Sequence, residues 1–220
     1  MKQLCPLLVA VFVLWAAGSS GAQAAAFQNG SFENGPDPGS YSPKGLNDTS
    51  IVGWTVFGVS VDYIGTYWTA SQGSRSLDLS GSITDAFGNI FGGIKQTFDT
   101  IVGQAYTVTF DLAGNPDSGF DKGVQVSVDS GSFSGSQNFT FTQDSHGPSS
   151  MGWVTFAYSF VADATSTTLA FLSLNNSFTG PALDNVSVSA VPLPAALPLF
   201  GAALGALAMI ARRRRKLEAA

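Results

Sequence analysis

The sequence has very little cysteine and histidine. Its only cysteine, Cys5, lies near the N-terminus, and its only histidine is His146. One thiol cannot form a disulfide within the chain, and a single histidine excludes the usual ligand sets of zinc sites. The H-E-x-x-H, G-x-S-x-G and Walker motifs are missing, and no nucleophile pattern surrounds His146. The sequence therefore predicts no catalytic residue.

Positive charge is scarce between the two ends of the chain. Residues 25–190 contain four basic and fourteen acidic side chains, a net charge of −10, and thirteen of the acids are aspartate. A surface of this charge repels phosphate backbones, so nucleic acid is excluded as a partner. It suits a calcium ion or an uncharged ligand instead.

The N-terminal residues follow the three-part pattern of a secretory signal. Lys2 precedes the apolar run of residues 7–17, and Ala22, Gln23 and Ala24 supply an A-x-A cleavage site. The apolar run is too short to span a bilayer. We predict a signal peptide over residues 1–24 and a single domain over residues 25–190.

The C-terminal residues 191–220 combine an apolar run with a basic cluster. Residues 191–211 carry no charge, and the basic cluster begins with Arg212, Arg213, Arg214 and Arg215. As a helix this run reaches about 30 Å, enough to cross a bilayer. Basic residues remain on the cytoplasmic side, so we predict one transmembrane helix with the domain outside the cytoplasm.

Short alternating apolar segments fill the domain between clusters of Gly, Pro, Asn and Asp, and no helical apolar period is present. This pattern is typical of a two-sheet β-sandwich. The predicted loops are residues 34–48, 65–75, 115–122, 144–152 and 175–181. The predicted strands are residues 27–32, 51–57, 61–64, 76–79, 90–98, 105–113, 123–129, 137–141, 154–161, 167–174 and 182–189.

The end of the chain resembles a known sorting signal. The motif VPLPA, formed by Val191, Pro192, Leu193, Pro194 and Ala195, is followed by an apolar helix and an arginine cluster. This layout resembles the VPLPA variant of the PEP-CTERM signals. The resemblance implies an exosortase-type sorting enzyme as a partner, cleavage near the motif and a surface or matrix destination. The alternative is an ordinary single-span anchor without processing.

The domain itself resembles the choice-of-anchor C, DUF642-related domains. The motifs that carry this resemblance, in order, are NGSFE (29–33), GWTV (53–56), VDYIGTYW (61–68), GSRSLDLSG (73–81), GGIKQTF (92–98), YTVTFDLAGNPD (106–117) and GPALDNVSV (180–188). The resemblance implies an all-β, galactose-binding-like jelly-roll sandwich. Plant relatives of this family are associated with the cell wall and are thought to bind polysaccharide.

Two carboxylates are predicted to hold a structural Ca²⁺. Jelly-roll carbohydrate-binding modules of similar fold place acids at the positions of Glu33 and Asp184, near the two chain ends. Calcium needs six to eight oxygen ligands, and two acids brought together without a cation would repel each other. Asp37 and Asp111 are weaker candidates for the same shell. The alternative is that Glu33 and Asp184 are ordinary exposed or edge acids.

An aromatic segment supplies the predicted sugar site. Flat aromatic rings stack on sugar rings while polar neighbours bind the hydroxyl groups. The alternative is that these aromatics only pack against the core, as we expect for Trp54 and Trp153. The predicted ligand-binding residues are Tyr63, Tyr67, Trp68, Asp62, Arg75 and Asn115, with Gln72 as a further polar neighbour.

These observations lead to three hypotheses of different classes. The first is an exported, surface-anchored, non-catalytic module that binds envelope or extracellular polysaccharide. The second is a structural or adhesive matrix protein with a protein partner. The third is a glycan-active enzyme, since glycoside cleavage requires only two acids and acids are plentiful.

Overall fold

The computed structural model describes residues 26–143 and 146–192. The predicted signal peptide, the sorting motif beyond Pro192, the apolar C-terminal run and the cluster Arg212–Arg215 lie outside these residues. Within the described residues, no helix is long and apolar enough to cross a membrane.

The described residues form an all-β sandwich with two antiparallel sheets, which confirms the predicted fold class at this level. Most predicted strands are present with small shifts of their ends. The strands are β1 (Tyr41–Gly45), β2 (Thr55–Gly58), β3 (Ser60–Ile64), β4 (Ser76–Asp78), β5 (Gly92–Asp99), β6 (Ala105–Gly114), β7 (Lys122–Ser130), β8 (Phe133–Phe141), β9 (Val154–Val161), β10 (Ser166–Ser173) and β11 (Pro181–Ala190).

One sheet has six strands and the other has five. The six-stranded sheet runs in the order β1-β3-β4-β11-β6-β9, and the five-stranded sheet in the order β2-β5-β10-β7-β8. Strands distant in sequence are therefore neighbours, as with β4 and β11. The loop after β6 and the loop before β11 meet at one end of the sheet, because Gly114 pairs with Pro181. The loop after β3 reaches them from the other end, since Tyr67 donates to Asp117.

The core lies between the two sheets and is built by alternation along the strands. In β6, Tyr106, Val108, Phe110 and Leu112 are buried, while the intervening residues at the start of the strand are only half-buried. The Phe110 ring lies 5.2 Å from that of Phe171 on the opposite sheet. These cross-sheet contacts hold the two layers together.

Trp54 anchors the N-terminal segment to the core. It is 1 % exposed, and its ring lies 5.4 Å from that of Phe32 and 5.7 Å from that of Phe27. Its indole Nε1 donates a hydrogen bond to the carbonyl of Asn29 at 2.9 Å. The prediction that Trp54 belongs to the core is confirmed.

The predicted strand over residues 27–32 is wrong. Asn29 and Phe32 have φ angles of 54° and 59°, which are left-handed values that end an extended conformation. The amide of Phe32 donates to the carbonyl of Asn29, so the segment turns instead of extending. Gly30 passes so close to β11 that a Cβ atom would lie 1.7 Å from the carbonyl oxygen of Val186.

Strand β1 falls within residues 34–48, which the sequence pattern assigns to a loop. It pairs with β3 at the edge of the six-stranded sheet, with Tyr41 opposite Ile64 and Pro43 opposite Asp62. Proline lacks an N–H donor and is tolerated at a sheet edge, where one side of the strand needs no partner. The proline and glycine content of this segment therefore conceals an edge strand.

Candidate functional site

A pocket of about 190 Å³ lies against the face of the six-stranded sheet that points away from the core. Strand β3 explains its position, since Tyr63 points into the core and its neighbours Asp62 and Ile64 point the other way, into the pocket. Every residue of β3 is buried, because one face meets the core and loops cover the other. The pocket is lined by Tyr41, Asp62, Ile64, Tyr67, Trp68, Asp78, Ser82, Asn115, Asp117, Phe178 and Thr179.

The pocket has an exposed aromatic rim and a buried polar floor. At the rim, Tyr41 is 45 % exposed, Phe178 is 53 % exposed and Tyr67 is half-buried. At the floor, Asp78 is 1 % exposed and Asn115 is also buried. A ligand entering the pocket therefore meets ring faces first and hydrogen-bonding groups below them.

Two floor carboxylates face each other across neighbouring strands. Asp62 of β3 pairs directly with Asp78 of β4, an arrangement that places Cβ atoms about 5 Å apart. Burial raises the pKa of Asp78 to about 7, although hydrogen bonds from Asn115 Nδ2 and the Ser80 amide oppose the rise. Burial also raises the pKa of Asp62, against hydrogen bonds from Ser82. The floor therefore holds one carboxyl, that of Asp78, with a pKa near neutrality and a second, that of Asp62, with a raised pKa.

A chain of hydrogen bonds runs from the floor to the rim. Asn115 Nδ2 donates to Asp78 Oδ2 at 2.8 Å, and the amide of Asp117 donates to Asn115 Oδ1 at 2.9 Å. The hydroxyl of Tyr67 then donates to Asp117 Oδ2. This hydrogen bond raises the pKa of Tyr67 to about 12. The network fixes the orientation of the Tyr67 ring at the pocket mouth.

Neighbouring rings hold Tyr67 from two further sides. Its ring centroid lies 5.7 Å from that of Tyr41 and 5.6 Å from that of Trp68. The rings meet at 63° and 56°, which are favourable tilted geometries. The Tyr67 ring is thus supported by the rings of Tyr41 and Trp68, while part of the Tyr67 ring remains open to solvent.

Four of the six predicted ligand-binding residues line this pocket, namely Asp62, Tyr67, Trp68 and Asn115. Trp68 is more buried than its loop position indicates, at 4 % exposure, and its Nε1 donates to Ser76 Oγ at 2.8 Å. It forms a wall of the pocket, whereas Tyr67 presents the more accessible ring.

The other two predicted residues lie away from the pocket. Tyr63 is fully buried in the core, and its hydroxyl donates to the carbonyl of Phe32 at 2.5 Å. Arg75 pairs with Asp37, with Nη2 and Oδ1 3.1 Å apart. The period of two along β3 separates Tyr63 from Asp62, so adjacent positions in sequence face opposite sides of the sheet. Trp153, expected in the core, is half-buried and donates from Nε1 to the carbonyl of Thr69.

The two predicted calcium ligands both bind the loop that follows Trp68. Glu33 accepts hydrogen bonds from the amides of Ser74 and Arg75 at 2.8 Å each, and Asp184 accepts one from the amide of Gln72 at 2.8 Å. Both side chains therefore act as anchors for residues 72–75. Within residues 26–143 and 146–192, no group of three or more His, Cys, Asp or Glu side chains is placed to hold a metal ion.

Asp184 lies opposite Asp111 at an irregularity in β11. The register of β11 on β6 shifts after Asp184, and Asn185 adopts a φ of 50°. Burial raises the pKa of Asp184 to about 7, with a smaller contribution from the nearby Asp111 charge. Asp111 accepts hydrogen bonds from Ser71 Oγ at 2.5 Å and Asn185 Nδ2 at 2.9 Å. These two acids form a second buried carboxylate pair, outside the pocket lining.

Besides Ile64 at the end of β3, sequence reasoning missed six pocket residues, namely Tyr41, Asp78, Ser82, Asp117, Phe178 and Thr179. The sequence does predict the orientation of Asp78, because an aspartate between Leu77 and Leu79 in a strand must point away from the core. The others come from loops and an edge strand whose positions depend on the order of strands in the sheet.

A second, more open groove adjoins the pocket. It is lined by Thr66, Tyr67, Trp68, Thr69, Pro148 and Ser149. Tyr67 and Trp68 are shared with the pocket, so the groove and the pocket adjoin at these two rings. A ligand longer than the pocket can therefore continue across Tyr67.

Comparison with protein families and curated proteins gives two matches. The model of the DUF642 family, described as a protein of unknown function, matches residues 25–189. Halomucin of Haloquadratum walsbyi (strain DSM 16790 / HBSQ001) is 32 % identical over 181 residues, an alignment that covers 78 % of this chain. The chain spans about 2 % of the length of Halomucin.

Solved structures with similar architecture include an arabinose-bound α-L-arabinofuranosidase, MgGH51. It aligns with a TM-score of 0.50 and 11 % identity over 80 % of this chain and 28 % of that one. TmCBM61 in complex with beta-1,4-galactotriose aligns with a TM-score of 0.48 and 14 % identity over 76 % of this chain and 99 % of that one. The first of these likenesses supports the sandwich fold and nothing beyond it.

Proposed function

Because the chain belongs to the DUF642 family, whose description assigns no function, we propose one from the pocket itself: a non-catalytic module that binds polysaccharide. The observation that carries this proposal is the combination of an aromatic rim with a hydrogen-bonding floor around one small pocket. Sugars present apolar C–H faces and polar hydroxyl edges, and this arrangement offers a partner for each.

The adjoining groove supports a polymer as the ligand. One sugar unit fills the small pocket, with Asn115 and the floor carboxylates available to its hydroxyl groups. The next unit crosses the Tyr67 ring and enters the groove beside Pro148. Because Tyr67 borders both cavities and is held by Asp117, Tyr41 and Trp68, its ring is the central contact of the proposed site.

We expect Tyr67→Ala to weaken polysaccharide binding about tenfold or more, which is at least about 1.4 kcal/mol. The substitution removes the shared stacking surface and leaves the buried floor in place. The measurement is a glycan array followed by titration calorimetry with the best-binding oligosaccharide. Phe87→Ala is the matched control, since Phe87 is 90 % exposed and is not among the pocket residues.

If neither glycan arrays nor pull-downs with extracellular polysaccharide detect binding by the wild-type protein, the proposed function is wrong. Equal loss of binding in Tyr67→Ala and Phe87→Ala would locate binding elsewhere. Phe87→Ala should leave the unfolding temperature close to that of the wild type, because its ring is 90 % exposed. Tyr67→Ala should remain folded with a modest loss of stability, because its ring is half-buried.

Export and surface anchoring complete the proposal. The signal-peptide pattern of residues 1–24, and the VPLPA motif with its apolar run and arginine cluster, support a chain that an exosortase-type enzyme sorts to the cell surface. In this arrangement the module stands outside the cytoplasm, where polysaccharide of the envelope or matrix is available. Detection of the domain in the surface fraction of cells that express the full chain tests this part.

Calcium bound near Glu33 and Asp184 is a further part of the proposal. Both carboxylates reach residues 72–75, whose backbone carbonyls are additional oxygen ligands of the kind that calcium takes. We expect calcium at a hundredfold excess over its dissociation constant to stabilise the protein by about 2.7 kcal/mol. Thermal unfolding with calcium and with EDTA measures this shift, which should disappear in Glu33→Gln and Asp184→Asn. If the wild type unfolds at the same temperature with calcium as with EDTA, the proposed calcium site is wrong.

A glycan-active enzyme is the second candidate function, because the pocket holds two facing carboxylates with raised pKa values. Paired acids of this kind cleave glycosidic bonds in hydrolases. Release of new reducing ends from a bound oligosaccharide, abolished by Asp78→Asn, would favour this candidate. A structural or adhesive protein would instead self-associate or bind protein with no dependence on sugar.

A further inference from the structure

The described residues that line the pocket carry charge of one sign. Three of them are the carboxylates Asp62, Asp78 and Asp117, and no lysine, arginine or histidine stands among them. Hydroxyls, an amide and apolar side chains make up the rest of the lining. A ligand that fills this pocket therefore meets three carboxyl groups and no basic side chain of the lining.

Three of the basic side chains of the domain make contacts away from the pocket. Arg75 pairs with Asp37, and Lys95 lies over the ring of Phe57 in the five-stranded sheet. Lys44 lies near Asp48.

Burial lowers the pKa of Lys122 to about 8, but Lys122 is close enough to the floor that the charge of Asp78 acts to raise that pKa. Its ammonium lies 3.5 Å from the centroid of the Phe120 ring and donates to Ser118 Oγ at 2.5 Å. These contacts hold it behind the floor, and it is not part of the pocket lining.

We propose that the pocket selects an amino sugar with a free ammonium group, in preference to N-acetylated, neutral or carboxylate-bearing sugars. This inference rests on the proposed function and names its ligand class. An ammonium group donates charge-assisted hydrogen bonds to carboxylates, which are stronger than bonds between neutral groups. The ammonium group is also attracted to the faces of nearby aromatic rings by cation–π interaction.

Asp117 is the carboxylate best placed to receive the ammonium group. It is exposed at the rim, whereas Asp62 and Asp78 are buried in the floor. One of its oxygens accepts from Tyr67, and a carboxylate has further acceptor sites beyond that bond. The rings of Tyr41 and Tyr67 stand beside it to supply cation–π contacts.

The same charges exclude acidic sugars. A uronic acid in the pocket would place its carboxylate beside Asp117 and the two floor carboxyls without a lining cation, and like charges at this range repel each other. Neutral sugars meet no such penalty but gain no charge-assisted bond. The expected order of affinity is free amine, then neutral or N-acetylated sugar, then uronic acid.

The test compares matched oligosaccharides by titration calorimetry at low salt and mildly acidic pH, where the sugar amines are protonated. The probes are hexasaccharides of β-1,4-linked glucosamine and α-1,4-linked galactosamine, each with its N-acetylated counterpart, and an oligogalacturonate. We expect a free-amine probe to bind about tenfold tighter than its N-acetylated counterpart, with an advantage that shrinks as salt is added.

The acidic domain also attracts polycations without specificity, so charge-matched variants are needed. Asp117→Asn should remove most of the tenfold advantage, so that the free-amine probe and its N-acetylated counterpart bind with similar affinity. Asp129→Asn removes the same charge from an exposed position on β7, outside the pocket, and should retain the advantage.

Two results separate failure of this inference from failure of the proposed function. If the N-acetylated probe or the oligogalacturonate binds as tightly as the amine, and Tyr67→Ala still abolishes binding, the pocket binds sugar but the inferred ligand class is wrong. An equal effect of Asp117→Asn and Asp129→Asn also overturns the inference. If no probe shows binding that depends on Tyr67 while another polysaccharide of the glycan array does, the inference alone is overturned; if no polysaccharide binds at all, both are overturned.

Discussion

Replacing Trp54 with alanine is expected to lower the free energy of unfolding by about 3–5 kcal/mol. The indole is 1 % exposed and contacts rings from both the N-terminal segment and the five-stranded sheet, Phe32 at 5.4 Å and Phe171 at 6.4 Å. The substitution leaves a cavity and also leaves the carbonyl of Asn29 without its Nε1 donor. Because domains are stable by only about 5–15 kcal/mol, the variant should be close to unfolding at room temperature.

Chemical denaturation followed by circular dichroism measures this loss, and Trp153→Ala is the matched control. Trp153 is half-buried just before β9, and its Nε1 donates a hydrogen bond to the carbonyl of Thr69. Replacing Trp153 with alanine should lower the free energy of unfolding by about 1 kcal/mol, which is in the usual range for partly exposed positions. Equal losses in the two variants would contradict the central position of Trp54 in the core.

The pH dependence of stability is the second large expected effect. Burial raises the folded-state pKa of both Asp78 and Asp184 to about 7, well above the ordinary value near 4 that applies when unfolded. Between these values the folded state binds more protons than the unfolded state, so stability falls as pH rises. The stabilisation is complete below about pH 4 and is lost as pH rises through 7. Each group contributes at most about 1.4 kcal/mol per pH unit in this window.

Urea unfolding at several pH values between 4 and 8, in EDTA, measures this slope. Asp78→Asn and Asp184→Asn should each flatten it, even if each variant is less stable at every pH. Asp129→Asn controls for the general repulsion among the acids, because Asp129 is exposed on β7. A wild-type protein that becomes more stable as pH rises from 4 to 7 would contradict the assignment of both buried carboxyls.

Strands were predictable where alternation was clean and turn residues bounded them. Strand β9 begins and ends where its pattern predicts, and β6 follows the alternation from Tyr106 to Leu112. The failures have local causes. Asn29 and Phe32 adopt left-handed backbone angles that a pattern of apolar residues does not reveal, and Pro43 conceals an edge strand.

The aromatic half of the site was partly predictable, because Tyr67 and Trp68 are adjacent in a loop that the sequence pattern identifies. The acidic half was not, because the pairing of Asp62 with Asp78 depends on the register of β3 on β4. Phe178 and Asp117 reach the pocket only because β11 lies between β4 and β6. Contacts of this kind depend on strand order, which local periodicity does not specify.

The most direct test of the proposed function is a nuclear magnetic resonance titration of the ¹⁵N-labelled protein with its best-binding oligosaccharide. We predict amide shift changes concentrated on Tyr67, Ser82, Asn115 and Thr179 around the pocket, and none on the distant strand β8. Shift changes confined to β8 and β9, or no changes with any polysaccharide fragment, would contradict the assignment of this pocket as a sugar-binding site.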